Sequence, residues 1–282
     1  MKSAGKSAGK PRKRGVRFAV LGTALALATA IVPAAAASGA SGKSGHGTAK
    51  PTVVLVHGAW ADGSSWNGVV RDLQHDGYTV DVPPNPLRGV AGDSAYLASY
   101  LSTVPGPIVL VGHSYGGFVI SNAATGNANV KALVYVDAYL PAEGETLNAL
   151  TARFPGSQVG PDALNFVPSA GGVVDAYVKP ALFRGILAND LPAERAGELA
   201  ATQRPIAASA LNEPSGAPAW NTIPSWDVIG TADHALPAAA QQFMAKRAGA
   251  TVTKLNASHL SMISHPNRVT DVIEDAAHHT AN

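Results

Sequence analysis

The chain has 282 residues, 46% of them hydrophobic and 14% charged. That is enough for one domain with a sizeable core, and too little charge for a coiled coil or an acidic disordered chain. There is no Cys, which excludes disulfides and thiolate metal sites. The net charge of +2 comes from the N-terminus: residues 1–37 carry seven basic residues and no acid, and the remainder sets 14 basic residues against 19 acidic ones, a balance of −5. A mildly acidic body without a basic stripe argues against nucleic-acid binding.

Residues 1–17 read as a basic n-region and Phe18 to Val32 as an apolar h-region. Pro33-Ala34-Ala35-Ala36-Ala37-Ser38 then offers a small-residue cleavage site after Ala37. The apolar run falls short of the ~20 residues that span a bilayer, so residues 1–37 are expected to be a cleaved signal peptide. The protein is expected to be secreted, with no stable membrane anchor. Residues 38–50, rich in Gly, Ser and Ala, are expected to form a flexible linker.

From Thr52 onward, short apolar runs alternate with helix-compatible segments. Strands are expected at Val53–Val56, Tyr78–Val82, Ile108–Val111, Ala132–Val136, Ser225–Ile229 and Thr251–Leu255. Helices are expected over Trp66–Gln74, from an Asp93 or Ser94 cap through Leu101, and over Gly117–Ala124, Ala238–Ala248 and Asn267–Ala277. Continuously apolar strands alternating with helices indicate an α/β fold with a mostly parallel, doubly wound sheet. Between residues 139 and 222 the rhythm breaks into proline-rich, short segments, one of them a helix opened by Asp190-Leu191-Pro192. This stretch is too long for a plain loop. It is expected to be a helical lid inserted between two core strands, leaving residues 51–138 and 223–282 as the core.

Gly112-His113-Ser114-Tyr115-Gly116-Gly117 joins the third strand to its helix, the context of a G-x-S-x-G nucleophile elbow. Gly5-Lys6-Ser7-Ala8-Gly9 matches the same pattern, but no strand precedes it. A serine hydroxyl needs a base in contact and a third group to orient that base. His259, just after the last strand, is the candidate base; His57, His75, His113, His234, His265, His278 and His279 fit that position less well. Asp233, after the penultimate strand, is the candidate acid, with Asp137 one strand earlier as its rival. The Tyr115 amide at the helix N-terminus and the Ala59 amide in Val56-His57-Gly58-Ala59-Trp60 are candidate oxyanion donors.

With these pieces in place, residues Pro51 to Ala277 resemble the α/β-hydrolase superfamily, and within it the secreted-type small serine esterases that group with plant methylesterases and hydroxynitrile lyases. The resemblance rests on Val54-Leu55-Val56-His57-Gly58-Ala59-Trp60, Gly112-His113-Ser114-Tyr115-Gly116-Gly117, Gly230-Thr231-Ala232-Asp233 and Ser258-His259-Leu260-Ser261-Met262. It implies a Ser114, Asp233, His259 triad, with Ala59 and Tyr115 forming the oxyanion hole. It also implies a small-molecule carboxylic ester as substrate, and neither metal nor organic cofactor. The lyases of this branch carry Lys after the catalytic His and Thr in place of the first-loop Gly; Leu260 and Gly58 stand there in this chain, which favours hydrolysis. The triad alone leaves perhydrolysis, lactone or thioester cleavage and lyase chemistry open.

Overall fold

The computed structural model describes residues 50–279. The expected signal peptide, and the expected linker apart from Lys50, lie outside them. The first half of the core runs β1 (Thr52–Val56), α1 (Asn67–His75), β2 (Val80–Asp81), α2 (Val90–Leu101), β3 (Ile108–His113), α3 (Gly116–Ala123) and β4 (Val130–Val136). An insert follows, with α4 (Leu147–Ala152), β5 (Leu164–Pro168), β6 (Val174–Val178), α5 (Pro180–Leu187), α6 (Ala193–Thr202) and β7 (Ile206–Ala207). The chain then returns to the core through β8 (Ser225–Gly230), α7 (Ala238–Ala248), β9 (Thr251–Leu255), α8 (Ser261–Ser264) and α9 (Pro266–His279).

Six strands pair in the order β2-β1-β3-β4-β8-β9, all parallel. β3 and most of β1 and β4 are buried, because helices cover both faces of a parallel sheet and every side chain of a central strand must be apolar or small. On one flank α1 packs with α9; on another α2 packs with α3. α7 spans the expected Ala238–Ala248 and is closed by Gly249 in the left-handed region (φ 64°), with Lys246 and Arg247 in the last turn at the negative end of the helix.

Two core elements differ from expectation. β2 shrinks to Val80–Asp81: the Tyr78 amide is taken by the Leu73 carbonyl at the end of α1, and Pro83 and Pro84 have no N–H to offer a ladder. α2 begins at Val90, not at Asp93 or Ser94. The Asp93 carboxylate reaches back one turn to accept the N–H groups of Arg88 and Gly89, satisfying amides that the helix leaves unpaired.

The insert corrects a larger expectation. It is not a purely helical lid, because a three-stranded antiparallel sheet, β5-β6-β7, stands beside its helices. β5 and β6 form a hairpin through Ser169-Ala170-Gly171-Gly172, where both glycines have positive φ. Most of the insert's aromatic residues serve its packing. The Tyr139 hydroxyl pairs with Thr151, the Phe154 ring packs on Phe243, and the Trp220 indole donates to the Pro141 carbonyl. Several bonds fasten the insert to the loops at the carboxyl edge of the core sheet; among them the Trp60 indole donates to the Ala176 carbonyl (2.9 Å), the Trp60 amide to the Arg204 carbonyl (2.9 Å), and the Ser258 amide to Asp190 (3.0 Å).

Candidate active site

The order of the strands decides where a site can form. From β1 the chain winds outward to β2, then crosses back to β3 on the other side. The loops leaving β1 and β3 therefore diverge and open a crevice at their carboxyl ends. The register sets the residues of that crevice side by side. Val56 pairs with Gly112, which brings Gly58 opposite Ser114; His113 pairs with Val136, which brings Ser114 beside Asp137; Gly230 pairs with Leu255, which brings the loops carrying Asp233 and His259 together.

Ser114 occupies the left-handed region at φ 53°, a conformation that costs a non-glycine residue roughly 1–2 kcal/mol. The surrounding backbone holds it there. Its N–H donates to the Val136 carbonyl (3.3 Å), and its own carbonyl accepts from the Gly117 (2.9 Å) and Tyr139 (3.3 Å) amides. The turn closes only because its neighbours lack side chains. A Cβ on Gly117 would strike the Tyr139 carbonyl, and one on Gly58 would lie 2.6 Å from the Ser114 Cβ.

At this edge the structure brings Ser114, His259 and Asp233 into one chain of hydrogen bonds. His259 Nε2 is 2.8 Å from Ser114 Oγ, and His259 Nδ1 is 2.7 Å from Asp233 Oδ2. All three residues are buried. A carboxylate only accepts, so Nδ1 carries the proton and Nε2 presents its lone pair to the serine hydroxyl. Burial disfavours a charged imidazole, but the charge and hydrogen bond of Asp233, with Asp137 adding, outweigh it and raise the His259 pKa above its ordinary value. Asp233 is itself fixed: Oδ1 accepts from the Ala235 (2.7 Å) and Leu236 (2.9 Å) amides, and Oδ2 also accepts from Gln241 Nε2 (2.9 Å).

Ala59 and Tyr115 flank Ser114, both buried. Neither amide donates to another protein group among the described residues. Two buried N–H groups without protein partners beside a serine suit a developing oxyanion. The Tyr115 side chain is anchored away from the crevice, its hydroxyl donating to Asp93 (2.8 Å).

The rival residues have other partners. Asp137 does not meet the imidazole nitrogens; its carboxylate accepts backbone amides of Gly230 and Ser261. His57 Nε2 accepts the Asn85 amide (3.1 Å), so its Nδ1 donates to the Gly58 carbonyl (2.9 Å), and burial lowers its pKa; it braces the β1 loop. His234 pairs with the Gly185 carbonyl and Asn189, His265 with Ser264, and His75 with Asp76.

Sequence reasoning overlooked several supporting residues. His113 lies fully buried with its ring 4.9 Å from that of His259, and its Nε2 donates to the His259 carbonyl (2.8 Å); burial holds its pKa well below the ordinary value, so it stays neutral. Gln241 is a polar residue on the buried stripe of α7, next to Ala240 and in line with Met244 and Ala245, and that mismatch was a readable signal. Asn189 and Asp190 in the insert carried no comparable signal. Asn189 donates to the Ala232 carbonyl and Asp190 accepts from Ser258, each one residue from Asp233 or His259.

A parallel sheet that presents a strained serine, a carboxylate and an imidazole on loops at its carboxyl edge, after β3, β8 and β9, defines a hydrolase of the nucleophile-elbow class. Residues 53–272 match the model of the alpha/beta hydrolase family, and the chain belongs to that family. It is 36% identical over 113 residues to a carbendazim hydrolyzing esterase of Nocardioides sp. (strain SG-4G); that match covers 36% of this chain and 47% of the relative, so it spans about half of that protein. It is 28% identical over 247 residues to a pyrethroid hydrolase of Sphingobium wenxiniae, covering 80% of this chain and 87% of the relative. Among solved structures, a methylesterase from Arabidopsis superposes with a TM-score of 0.65 at 17% identity over 81% of this chain and 99% of that one, a likeness of fold.

Proposed function

We propose that the protein is a secreted serine carboxylesterase acting on small-to-medium esters through an acyl-enzyme. The observation that carries this reading is the unbroken relay from Ser114 Oγ to His259 Nε2 (2.8 Å) and from His259 Nδ1 to Asp233 Oδ2 (2.7 Å). The chain is a carboxylic ester hydrolase, and relatives named as an esterase and a hydrolase support that class. His259 takes the proton of Ser114 as Oγ attacks the ester carbonyl. The negative charge that moves to the carbonyl oxygen is met by the Ala59 and Tyr115 amides. Asp233 stabilises the imidazolium and keeps it aimed. His259 then protonates the leaving alkoxide, and a water molecule, deprotonated by the same imidazole, frees the acid and restores the serine.

The basic leader, the short apolar run and the small-residue site at Ala37 support secretion. The test is to collect the protein from the medium of an expressing culture, sequence its N-terminus, and assay it on p-nitrophenyl esters from acetate to decanoate beside Ser114→Ala. The mature chain should begin at Ser38 and prefer short or medium acyl groups. Ser114→Ala should lose about 10⁴-fold or more in kcat. Retention in the cell with an intact leader would refute secretion, and an undiminished Ser114→Ala enzyme would refute the esterase.

A further inference from the structure

Residue 137 is the point where the three loops of the site meet. On one side of it Val136 accepts the Ser114 amide; on the other Tyr139 donates to the Ser114 carbonyl. Its own amide donates to Val228 (2.8 Å). Its side chain, fully buried, spans two further loops: Oδ1 accepts the Gly230 amide (2.9 Å), three residues before Asp233, and Oδ2 accepts the Ser261 amide (3.0 Å), two residues after His259. The backbone at Asp137 is left-handed, φ 46°, and a Cβ on Gly230 would sit 2.7 Å from Oδ1. A strained residue held between amides in this way is part of a site that has been built around it.

We infer that Asp137 is a positioning residue of the proposed hydrolysis: its carboxylate clasps the Asp233 and His259 loops together, and its charge joins that of Asp233 in stabilising the His259 imidazolium. This rests on the triad reading above. Both contacts are N–H donors, so the ionised carboxylate, which accepts at each oxygen, fits the clasp better than the acid or an amide. Three titratable groups bear on Asp137: Asp233, His259 and Asp227. Asp227 is fully buried on β8 with neither oxygen bonded, and burial, then the Asp137 charge, raises its pKa well above the ordinary carboxylate value. Burial, with the Asp233 charge beside it, pushes Asp137 up to about 7, against the pull of His259 and Ser261. The clasp therefore loses its charge as the pH falls through neutrality, and His259, its pKa raised above its ordinary value, gains its proton as the pH falls as well.

The experiment compares the pH dependence of kcat/KM for the wild-type enzyme and Asp137→Asn on one p-nitrophenyl ester, with Ser114→Ala in parallel. Wild type should show an acid limb steeper than one proton. Removing the charge lowers the His259 pKa, so Asp137→Asn should lose about tenfold in kcat at pH 8 with KM unchanged. Its acid limb should fall about one pH unit lower, with a single-proton slope. A loss equal at every pH, with the limb in place, would reduce Asp137 to a structural part and overturn the inference; so would an unaltered enzyme. If Asp137→Asn does not fold, the wild-type limb decides alone, and a single-proton slope overturns the inference. A Ser114→Ala enzyme that keeps its activity would instead overturn the hydrolysis reading itself.

Discussion

Around Ser114 the polypeptide has almost no room to vary, whereas the outer sheet of the insert has a great deal. At the carboxyl edge, Gly58 abuts Ser114, Gly117 abuts Tyr139, whose amide holds the Ser114 carbonyl, and the Asp233 carboxylate makes four hydrogen bonds. In the insert, Phe166 and Val167 are 47% and 46% exposed, and a Cβ on Gly171 or Gly172 would meet nothing. The difference has a physical source. The edge is positioned by the register of buried parallel strands, where a one-residue slip would misplace every partner at once. The outer hairpin answers mainly to its own turn. The core edge thus tolerates little change, and the outer part of the insert tolerates much more.

The sharpest way to break this comparison is at the acid. Asp233→Asn keeps the shape but offers N–H where His259 Nδ1 needs an acceptor, which favours the wrong imidazole tautomer. We expect kcat to fall about 10⁴-fold. The pH profile checks the cause. His259 must be neutral to act, and its raised pKa means that wild-type activity is lost on acidification from a point above pH 6.5. Asp233 is the larger of the two carboxylate influences that outweigh burial, so the residual activity of Asp233→Asn should persist to lower pH than that of wild type. A modest loss with an unmoved limb would mean that the edge is less tightly specified than its geometry suggests.

The same contrast governs what the sequence disclosed. Buried parallel strands must be continuously apolar, so β1, β3, β4 and β8 were legible within two residues of their ends, and the chain order of the loops pointed to Ser114, Asp233 and His259. The β5–β6 hairpin was also written in the chain, as Phe166-Val167 and Val173-Val174 with Tyr177-Val178 on either side of Gly171-Gly172, but the surrounding prolines masked it as irregular structure. What could not be read was the bracing. Asp137, His113 and Asp190 act on residues from 68 to 146 positions away, and no local pattern encodes contacts that exist only once the sheet has assembled.

A smaller effect is expected at Gly58→Ala. The new methyl would lie 2.6 Å from the Ser114 Cβ and 2.8 Å from the His113 carbonyl, so the β1 loop must retreat and carry the Ala59 amide with it. Losing one oxyanion donor costs about 10²–10³-fold in kcat. Steady-state kinetics, with circular dichroism to show that the variant folds, would test this. A fully active variant would show that Ala59 is not a donor.

The smallest expected effect lies where the insert meets the core. Trp60, Phe183, Leu199, Leu260 and Ile263 form the apolar part of a narrow cleft beside the Ala59 and His259 loops, whose polar part is Asp62, Ser64, Ser65, Thr202 and Gln203. Trp60 and Leu260 adjoin the candidate oxyanion donor and the candidate base, so an acyl chain leaving the reacting carbon on this side is expected to meet the apolar part of the cleft. Leu199 comes from α6 and is half-buried, so shortening it enlarges the cleft without touching Ser114, Asp233 or His259. Leu199→Ala should leave kcat on the acetate ester within about twofold. It should raise the octanoate-to-acetate ratio of kcat/KM several-fold, because pocket contacts of a methylene or two are worth about 1–3 kcal/mol. An unchanged ratio would move the acyl site elsewhere, while a fall on acetate as well would show that the insert shares the rigidity of the edge it covers.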